Sequence, residues 1–310
     1  MIRTVRVGTR GSKLALAQTN EVTQALLSAN PSVEIEVIPI RTGGDRSQSH
    51  DLASIGVGVF VKEVENALLN GEVDIAVHSM KDLVSTIEPE LVIAAVPYRE
   101  DPRDAMISRS GAGLEGLPPG ARVATGSARR RALLLEKRPD LRVEPIRGNV
   151  PTRLEKLDAP DGPDALVLAA AGLKRLGLSD RITSHLACWD FISAVGQGAL
   201  AIETRAGDTD SADLVKPLDY PGTHTEVDAE RAFLAAVRGG CSAPVSAHAR
   251  ARDGRISIHA FASDRDGKNM IRGERSGDEA NAIALATDLA EELLARGASE
   301  LVATPGGANS

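Results

Sequence analysis

The strongest constraint on the fold is the regular alternation of short β-branched runs with helix-length segments through the first two-thirds of the chain. This alternation is typical of α/β domains, in which helices cover a sheet. It occurs on both sides of the turn-rich segment YREDPRD, so it predicts two α/β units. The first unit is predicted to contain strands over Thr4–Val7, Val33–Ile40 and Val73–Val77, and helices over Ser12–Ala29 and Phe60–Leu69. The second is predicted to contain strands over Ala121–Ala124, Leu141–Ile146 and Ala165–Leu168, and helices over Ser127–Arg138 and near Thr152.

The last third of the chain follows a different pattern. A helix is predicted over Glu226–Arg238, and a long amphipathic helix over Gly277–Arg296. Between them, ARARDGRISIHAFASDRDGKNMIRGER places two Asp-Gly turns between alternating strands. This pattern predicts a small α+β domain with an antiparallel sheet. A third compact unit is also consistent with 310 residues, a length that exceeds the usual size of one domain.

Charge and composition restrict the partners. The formal net charge is −7 and aromatic residues make up 2% of the chain, which argues against nucleic-acid binding because that needs a basic footprint or stacking platforms. No apolar run approaches the length of a membrane span or a signal peptide. The two cysteines, Cys188 and Cys241, lack metal-ligand spacing and suit a reducing compartment. We therefore expect a cytoplasmic protein without a membrane segment.

Two strand-to-helix joints have the same design. VGTRGSKLALAQ and VATGSARRRALLLE each pass from a strand through Thr and Gly-Ser into a helix. A helix that begins with Ser after Gly offers backbone N–H groups, a hydroxyl and the positive end of the helix dipole to an anion. Basic residues follow in both segments, Arg10 and Lys13 in the first and Arg129 to Arg131 in the second. Each joint alone is better explained as an ordinary helix cap with solvated basic residues, but two such joints could face each other across a cleft.

Further arginines point to a ligand with several carboxylates. Arg147 and Arg153 flank the turn in IRGNVPTRL, and Arg175 follows in AGLKRLG. Guanidinium groups bind carboxylates through paired hydrogen bonds, although surface ion pairs would explain the same residues. Asp82, in AVHSMKD just after a predicted strand, could stabilise a cation forming on a substrate, or could only cap a turn.

Cys241 lies in VRGGCSAP, directly after Gly239 and Gly240. From its surroundings alone it could be a structural thiol, a nucleophile whose base comes from elsewhere in the fold, or an attachment point for a covalently held group. The glycine pair leaves room beside the sulfur, which suits attachment of a bulky group. The residues themselves leave these three alternatives open.

Eight motifs taken together resemble one family. GTRGSKLALAQ, FVKEVENALLNGEVDIAVHSMKDL, REDPRDA, GSARRR, RGNVPTRL, AGLKRLG, AVGQGALAIE and GGCSAP occur in the order seen in the porphobilinogen deaminase (hydroxymethylbilane synthase) family. They extend from Val7 to Pro244. No single motif would be decisive, but eight in order at compatible spacing make a chance match very improbable.

The resemblance implies a transferase of tetrapyrrole (porphyrin and heme) biosynthesis. Four porphobilinogen molecules would condense head to tail, each losing ammonia, and hydrolysis would release hydroxymethylbilane. It implies that Cys241 carries a dipyrromethane cofactor through a thioether bond, and that Asp82 stabilises the positive charge developing on the pyrroles. The implied partners are porphobilinogen and the growing polypyrrole chain, with uroporphyrinogen-III synthase downstream. A monomer is expected, and no metal is implied.

The resemblance also implies which residues bind carboxylates, because every porphobilinogen carries an acetate and a propionate. The groups implied to bind the cofactor, besides Cys241 and Asp82, are Lys81, Thr125, Ser127, Arg129, Arg130 and Gly148. Those implied to bind substrate are Arg10, Ser12, Arg147, Arg153 and Arg175. The sequence departs from the family pattern in GVGVF, which lacks a frequent loop lysine, in KDLVSTIE, at Ala17, where Trp is frequent, and at Gly126, where many members have serine. These differences are expected to modify affinity.

The fold that the resemblance implies is α/β, with two periplasmic-binding-protein-like domains, a cleft between them, and a C-terminal α+β domain with a three-stranded antiparallel sheet. The implied boundaries are 1–97 with 196–216 for domain 1, 98–195 for domain 2 and 217–310 for the C-terminal domain. Glycines in AVGQG would lie at a crossover between domains. Two alternatives remain: a two-lobed binding protein for a small polycarboxylate, and a cysteine hydrolase. A binding protein does not account for the arginine pair together with GGC.

Overall fold

The structure, a computed structural model, describes residues 3–40, 59–84, 86–237 and 243–303. The chain divides into two compact units. One comprises Met1–Glu100 with Gly198–His224, and the other comprises Asp101–Gln197 with Thr225–Ser310. Cys241, the glycines before it and the GVGVF segment up to residue 58 lie outside the described residues.

The elements follow each other along the chain as the alternation predicts. The first strands and helices are β1 (Arg3–Arg10), α1 (Lys13–Ala29), β2 (Val33–Ile40), α2 (Val59–Leu69), β3 (Ile75–Ser79) and β4 (Leu91–Ala95). Next come β5 (Asp104–Ser108), β6 (Arg122–Ala124), α3 (Ala128–Lys137), β7 (Arg142–Glu144), α4 (Val150–Asp158), β8 (Ala165–Ala169), α5 (Ala170–Arg175) and β9 (Ser184–Leu186). The last are β10 (Leu200–Arg205), α6 (Thr209–Val215), α7 (Pro221–Ala236), β11 (Val245–Arg252), β12 (Arg255–Ser263), β13 (Met270–Asp278), α8 (Ala282–Ala295) and α9 (Ala298–Ala303).

The first two sheets share one topology. The sheet of the first unit has the order β2-β1-β3-β10-β4, and the corresponding sheet of the second unit has the order β7-β6-β8-β5-β9. In each, the first three strands of the order are parallel and the fourth is antiparallel to its neighbours. The chain leaves β1 for β2 on one side and returns to β3 on the other, and β6, β7 and β8 repeat this. The carboxyl ends of such neighbouring strands are where open α/β sheets bind ligands.

Helices cover both faces of the first sheet. On one face, Val22 and Leu26 of α1 are buried in a cluster with Val5, Val7 and Ile75 of the strands. On the other face, the buried side chains of α2 pack against β3, and this cluster includes Val64, Leu68 and Ala76. Neighbouring residues of one strand, such as Ile75 and Ala76, therefore pack in different clusters on opposite faces of the sheet, because side chains alternate along a strand.

The third sheet is antiparallel, with the order β11-β12-β13. The β11–β12 hairpin turns at Asp253 and Gly254, whose φ values of 52° and 73° suit the two central positions of a type I′ turn. Small residues of the hairpin, such as Ala247 and Ala260, pack under Leu289 and Leu293 of α8. The predicted fold class is thus confirmed in its two α/β units and its three-stranded α+β segment.

Several predicted boundaries were wrong. The strand expected over Val73–Val77 is β3, two residues later, because Val73 ends the preceding turn with its N–H donating to the carbonyl of Ala67. Gly277 does not begin the last helix but lies near the end of the edge strand β13, where it pairs with Ile256 of β12, and α8 begins only at Ala282. Strands β4, β5, β9 and β10 were missing from the expected elements. No helix among the described residues is long and apolar enough to cross a membrane.

Candidate active site

The β1–α1 joint forms one side of a pocket in the first unit. Ser12 is the N-cap of α1, and its Oγ accepts a hydrogen bond from the N–H of Ala15 at 3.2 Å. Arg10 ends β1 immediately before it. The pocket is lined from this side by Arg10, Ser12 and Gln18, and from the end of β3 by His78 and Asp82, among others. Three of the predicted site residues, Arg10, Ser12 and Asp82, therefore lie together at the carboxyl ends of the neighbouring strands β1 and β3.

Asp82 is held at the pocket by a short 3-10 turn, Met80–Asp82, that continues β3. The N–H of Met80 donates to the carbonyl of Ala199, which ties this turn to the residue before β10. A carboxylate oxygen of Asp82 lies 4.0 Å from a guanidinium nitrogen of Arg10, and 37% of the Asp82 side chain is exposed. Lys81 lies in the same turn but does not line the pocket. An accessible carboxylate beside a guanidinium can stabilise a cation that forms in the pocket.

The β6–α3 joint of the second unit has the same capping design. Ser127 is the N-cap of α3, and its Oγ accepts from the N–H of Arg130 at 3.4 Å. The buried hydroxyl of Thr125 accepts from the N–H of Ser127 at 3.2 Å. A Cβ at Gly126 would lie 2.9 Å from the carbonyl oxygen of Ile146, so a serine there would require this turn to shift. The glycine at position 126, for which a serine was expected from the motif pattern, therefore fits the close packing of this joint.

Arg129 and Arg130 are buried against Asp104, a residue that sequence analysis did not select. Arg129 donates to Asp104 Oδ2 at 2.7 Å and Arg130 Nε donates to Asp104 Oδ1 at 2.9 Å. Gln197 donates to the same carboxylate at 2.9 Å and accepts from Arg130 at 3.3 Å. Burial alone would raise the pKa of Asp104, but the two guanidinium groups and the Gln197 hydrogen bond lower it to about 2. The arginine pair is thus organised around an ionised carboxylate inside the protein.

The remaining predicted arginines lie near the ends of α4 and α5. Asn149 caps α4, and Arg153 Nε donates to the carbonyl of Gly148 at 2.7 Å. Burial lowers the pKa of Arg153, and the charge of Arg130 adds to this effect. Arg147 is exposed, and Arg175 is half-buried in the last turn of α5. The second unit therefore brings Thr125, Ser127, Arg130 and Arg153 to one joint.

The Asp104 cluster leads to a stability prediction. Asp104→Asn should lower the free energy of unfolding by about 3–5 kcal/mol at neutral pH, because two guanidinium charges would lose their buried counterion. The native pKa of about 2 lies below the ordinary value of 3.8, so this carboxylate contributes stability above pH 4 that is lost as the pH falls towards 2. The difference in the free energy of unfolding between wild type and Asp104→Asn should therefore become smaller as the pH falls. Urea unfolding followed by circular dichroism at several pH values would measure this. Asp158→Asn, which removes an exposed ion pair with Arg181, should cost under about 1 kcal/mol.

Comparison with known proteins agrees with this arrangement. A family model described as "Porphobilinogen deaminase, dipyromethane cofactor binding domain" matches residues 5–213, and one described as "Porphobilinogen deaminase, C-terminal domain" matches residues 224–295. A porphobilinogen deaminase of Desulforudis audaxviator is 49% identical over 305 residues, covering 98% of both chains. One of Syntrophobacter fumaroxidans is 43% identical over 301 residues, covering 97% of both.

Among solved structures, the Methionine Binding Protein MetQ overlaps with a TM-score of 0.45 at 13% identity, covering 69% of this chain and 89% of that one. This overlap is too low to bear on function. The family models cover most of the chain, and the relatives exceed 40% identity over nearly its whole length. The chain therefore belongs to the porphobilinogen deaminase family.

Proposed function

We propose that this chain is a hydroxymethylbilane synthase, which condenses four porphobilinogen molecules head to tail with loss of ammonia and then releases hydroxymethylbilane by hydrolysis. One observation carries the proposal beyond family membership. The pocket of the first unit places an accessible carboxylate, Asp82, among groups suited to the carboxylates of a pyrrole substrate, Arg10 and the Ser12 helix cap. A cation-stabilising group surrounded by anion-binding groups is what a reaction of a carboxylated pyrrole requires.

The dipyrromethane cofactor belongs to the matched family domain, and the donors of the β6–α3 joint fit its carboxylates. Thr125 and Ser127 supply hydroxyls at the start of a helix, and Arg153 adds a half-buried guanidinium. When bound, the cofactor supplies the primer on which the substrate chain grows. Cys241 would hold it through the sulfur, although that residue lies outside the described residues. The predicted roles of Lys81 and Gly148 in cofactor binding stay part of this proposal.

The buried arginine pair would act mainly through its charge. Two guanidinium groups, of Arg129 and Arg130, face the one ionised carboxylate of Asp104, so this trio keeps one positive charge beside the capped joint. A positive charge in a water-poor surrounding attracts a substrate carboxylate more strongly than an exposed one. The exposed Arg147 and the half-buried Arg153 and Arg175 would bind the carboxylates of the growing chain directly.

We further propose that the enzyme acts as a cytoplasmic monomer with the domain boundaries implied by the family. The low cysteine content supports a reducing compartment, because only two cysteines occur in the chain and Cys188 is buried. Uroporphyrinogen-III synthase would consume the product.

The direct test is turnover of porphobilinogen by the purified protein. We expect ammonia to appear in a ratio of four per hydroxymethylbilane, with the product trapped by its acid-catalysed cyclisation and detected by absorbance after oxidation. Binding of porphobilinogen without ammonia release would contradict the proposal and favour the two-lobed binding protein. Complete inactivation by a thiol alkylator would favour the cysteine hydrolase, since a thioether sulfur should be protected.

A further inference from the structure

A buried histidine and two buried glutamates lie behind the pocket that holds Asp82. His78 lines this pocket, and its Nε2 is 3.3 Å from Oε2 of Glu203. Only 3% of the His78 side chain and none of the Glu203 side chain are exposed. Glu65 of α2 is also buried and interacts electrostatically with both. None of these three residues has a part in the function proposed above.

The sheet register explains why they meet. Glu203 of β10 pairs with Ala76 of β3, and His78 is two residues beyond Ala76 on the same strand. Side chains two residues apart on a strand share a face, so His78 and Glu203 lie on the face that carries Ala76. That face is covered by α2, whose Leu68 packs in the same cluster as Ala76. His78 therefore both lines the pocket and contacts the buried carboxylate of Glu203.

The electrostatic balance of this cluster is unusual. Among the residues that the structure describes, neither carboxylate oxygen of Glu203 has a partner with hydrogen-bond geometry, and the ion-pair contact with His78 is its recorded compensation. Burial raises the pKa of Glu65, and the negative charge of Glu203 raises it further. A buried carboxylate without compensation is costly, so Glu203 favours the histidine tautomer that presents an N–H to it. The titratable groups that act on the neighbouring Glu65 are Glu203, His78, Glu88 and Lys62, and Arg10 and Asp82 line the pocket together with His78.

We propose that His78 is the base of the condensation step and that Glu203 is its positioning residue, an inference that rests on the function proposed above. In each condensation a C–C bond forms between the methylene carbon of the incoming porphobilinogen and the α-carbon of the terminal pyrrole. The C–N bond breaks and its electron pair leaves with ammonia. The α-carbon must then lose its proton for the ring to regain aromaticity. His78 takes this proton and returns it to ammonia, which departs as ammonium, and nothing is oxidised or reduced.

The chemical roles follow from the two ring nitrogens. The nearby carboxylate of Glu203 favours a proton on Nε2, the ring nitrogen 3.3 Å from it, and this leaves Nδ1 as the acceptor, so Glu203 sets the tautomer of the ring. A base oriented by a buried carboxylate is a common catalytic arrangement. Asp82 keeps a separate role, because a carboxylate that stabilises the cationic ring must stay ionised while the proton is removed.

The test compares His78→Gln and Glu203→Gln with wild type. We expect kcat to fall by roughly 100-fold in His78→Gln, a usual value for loss of a general base, and by about 10-fold in Glu203→Gln. Porphobilinogen deuterated at its free α-carbon should then show a larger kinetic isotope effect in His78→Gln, since proton removal would have become slower. The acidic limb of the pH–rate profile should disappear in His78→Gln, because the base that must be unprotonated to act would be gone. A structural role would change neither the isotope effect nor the profile.

The chain offers a matched control in its second unit. His248 and Glu230 are also buried, with Nδ1 3.2 Å from Oε1 and similar exposure, but they do not line the pocket. His248→Gln should keep the wild-type isotope effect and the shape of the pH–rate profile. An effect of His248→Gln equal to that of His78→Gln would overturn the proposal, because loss of any buried histidine would then suffice.

A measurement independent of turnover completes the test and stays informative if a variant fails to fold. Nitrogen-15 NMR of the wild-type holoenzyme, with the His78 ring assigned from its backbone, should find the proton of the neutral ring on Nε2. A neutral ring protonated on Nδ1 would block the acceptor and overturn the proposal. If wild type fails to consume porphobilinogen, the proposed function fails; if wild type is active and His78→Gln keeps its kcat and isotope effect, only this inference fails.

Discussion

Asp82→Asn is expected to reduce turnover of porphobilinogen by on the order of 1000-fold while leaving the fold and the bound cofactor intact. The carboxylate lies in a pocket with Arg10 and Ser12, and asparagine has nearly its shape but not its charge. Loss of one group that stabilises developing charge costs about this factor in enzymes generally. The side chain is partly exposed and its nearest recorded ion-pair contact is 4.0 Å long, so the variant should not unfold the unit.

The measurement is single-turnover release of ammonia together with the intact mass of the protein. Asp213→Asn is the control, because Asp213 is an exposed residue of α6 in the same unit and outside the pocket. That control should have wild-type rates. Normal porphobilinogen consumption by Asp82→Asn would remove this carboxylate from the mechanism, and loss of the cofactor mass would instead make Asp82 an assembly residue.

Cys241→Ser is expected to abolish turnover completely, because an alcohol oxygen is a much weaker nucleophile than a thiolate and would not form the link to the cofactor. The purified variant should have the bare polypeptide mass, whereas wild type should exceed it by one dipyrromethane. Brief exposure of wild type to porphobilinogen should add further steps of one pyrrole each. Serine preserves the size of the side chain, so the comparison isolates the sulfur.

Cys188→Ser provides the matched control for this experiment. Cys188 is the other cysteine of the chain, and it is buried in the second unit. The Cys188→Ser variant should keep both the cofactor mass and the stepwise additions. If the mass excess of one dipyrromethane persisted in Cys241→Ser and disappeared in Cys188→Ser, the cofactor would be attached to Cys188 and not to Cys241. Bare wild type that stays bare after incubation with preformed hydroxymethylbilane would contradict cofactor attachment altogether.

Local sequence patterns predicted much of the scaffold. Ser12 and Ser127 are the N-caps of α1 and α3 as the Gly-Ser joints indicated, because a serine hydroxyl satisfies backbone N–H groups wherever a helix begins. The Asp-Gly turn at Gly254 also needed only local information, since a positive φ is available to few residues. Asn149, the N-cap of α4, was missed although Asn two residues before Pro151 is a recognisable helix start.

The contacts of the charged residues could not be predicted in the same way. Asp104 and Gln197 are 93 positions apart, yet both bind the Arg130 side chain that sequence analysis had assigned to the ligand. His78 was not among the predicted site residues, and its partner Glu203 lies on β10, a strand that was not predicted. Both strands that carry these acidic residues, β5 and β10, are antiparallel additions to a parallel core. Nothing in their short sequences marks which strand they join.

Residues close together in the chain were sufficient to predict the two α/β patterns, the capped joints, the small antiparallel segment and, through eight ordered motifs, the family. Helix capping, turn conformation and side-chain periodicity all act over such short distances along the chain. Packing of distant segments was needed to show which charges are neutralised internally and which remain accessible: Asp104 binds Arg129 and Arg130, Glu203 faces His78, and Asp82 stays accessible beside Arg10. Burial and strand register set the strength of a charge interaction, and both arise only when distant segments pack together.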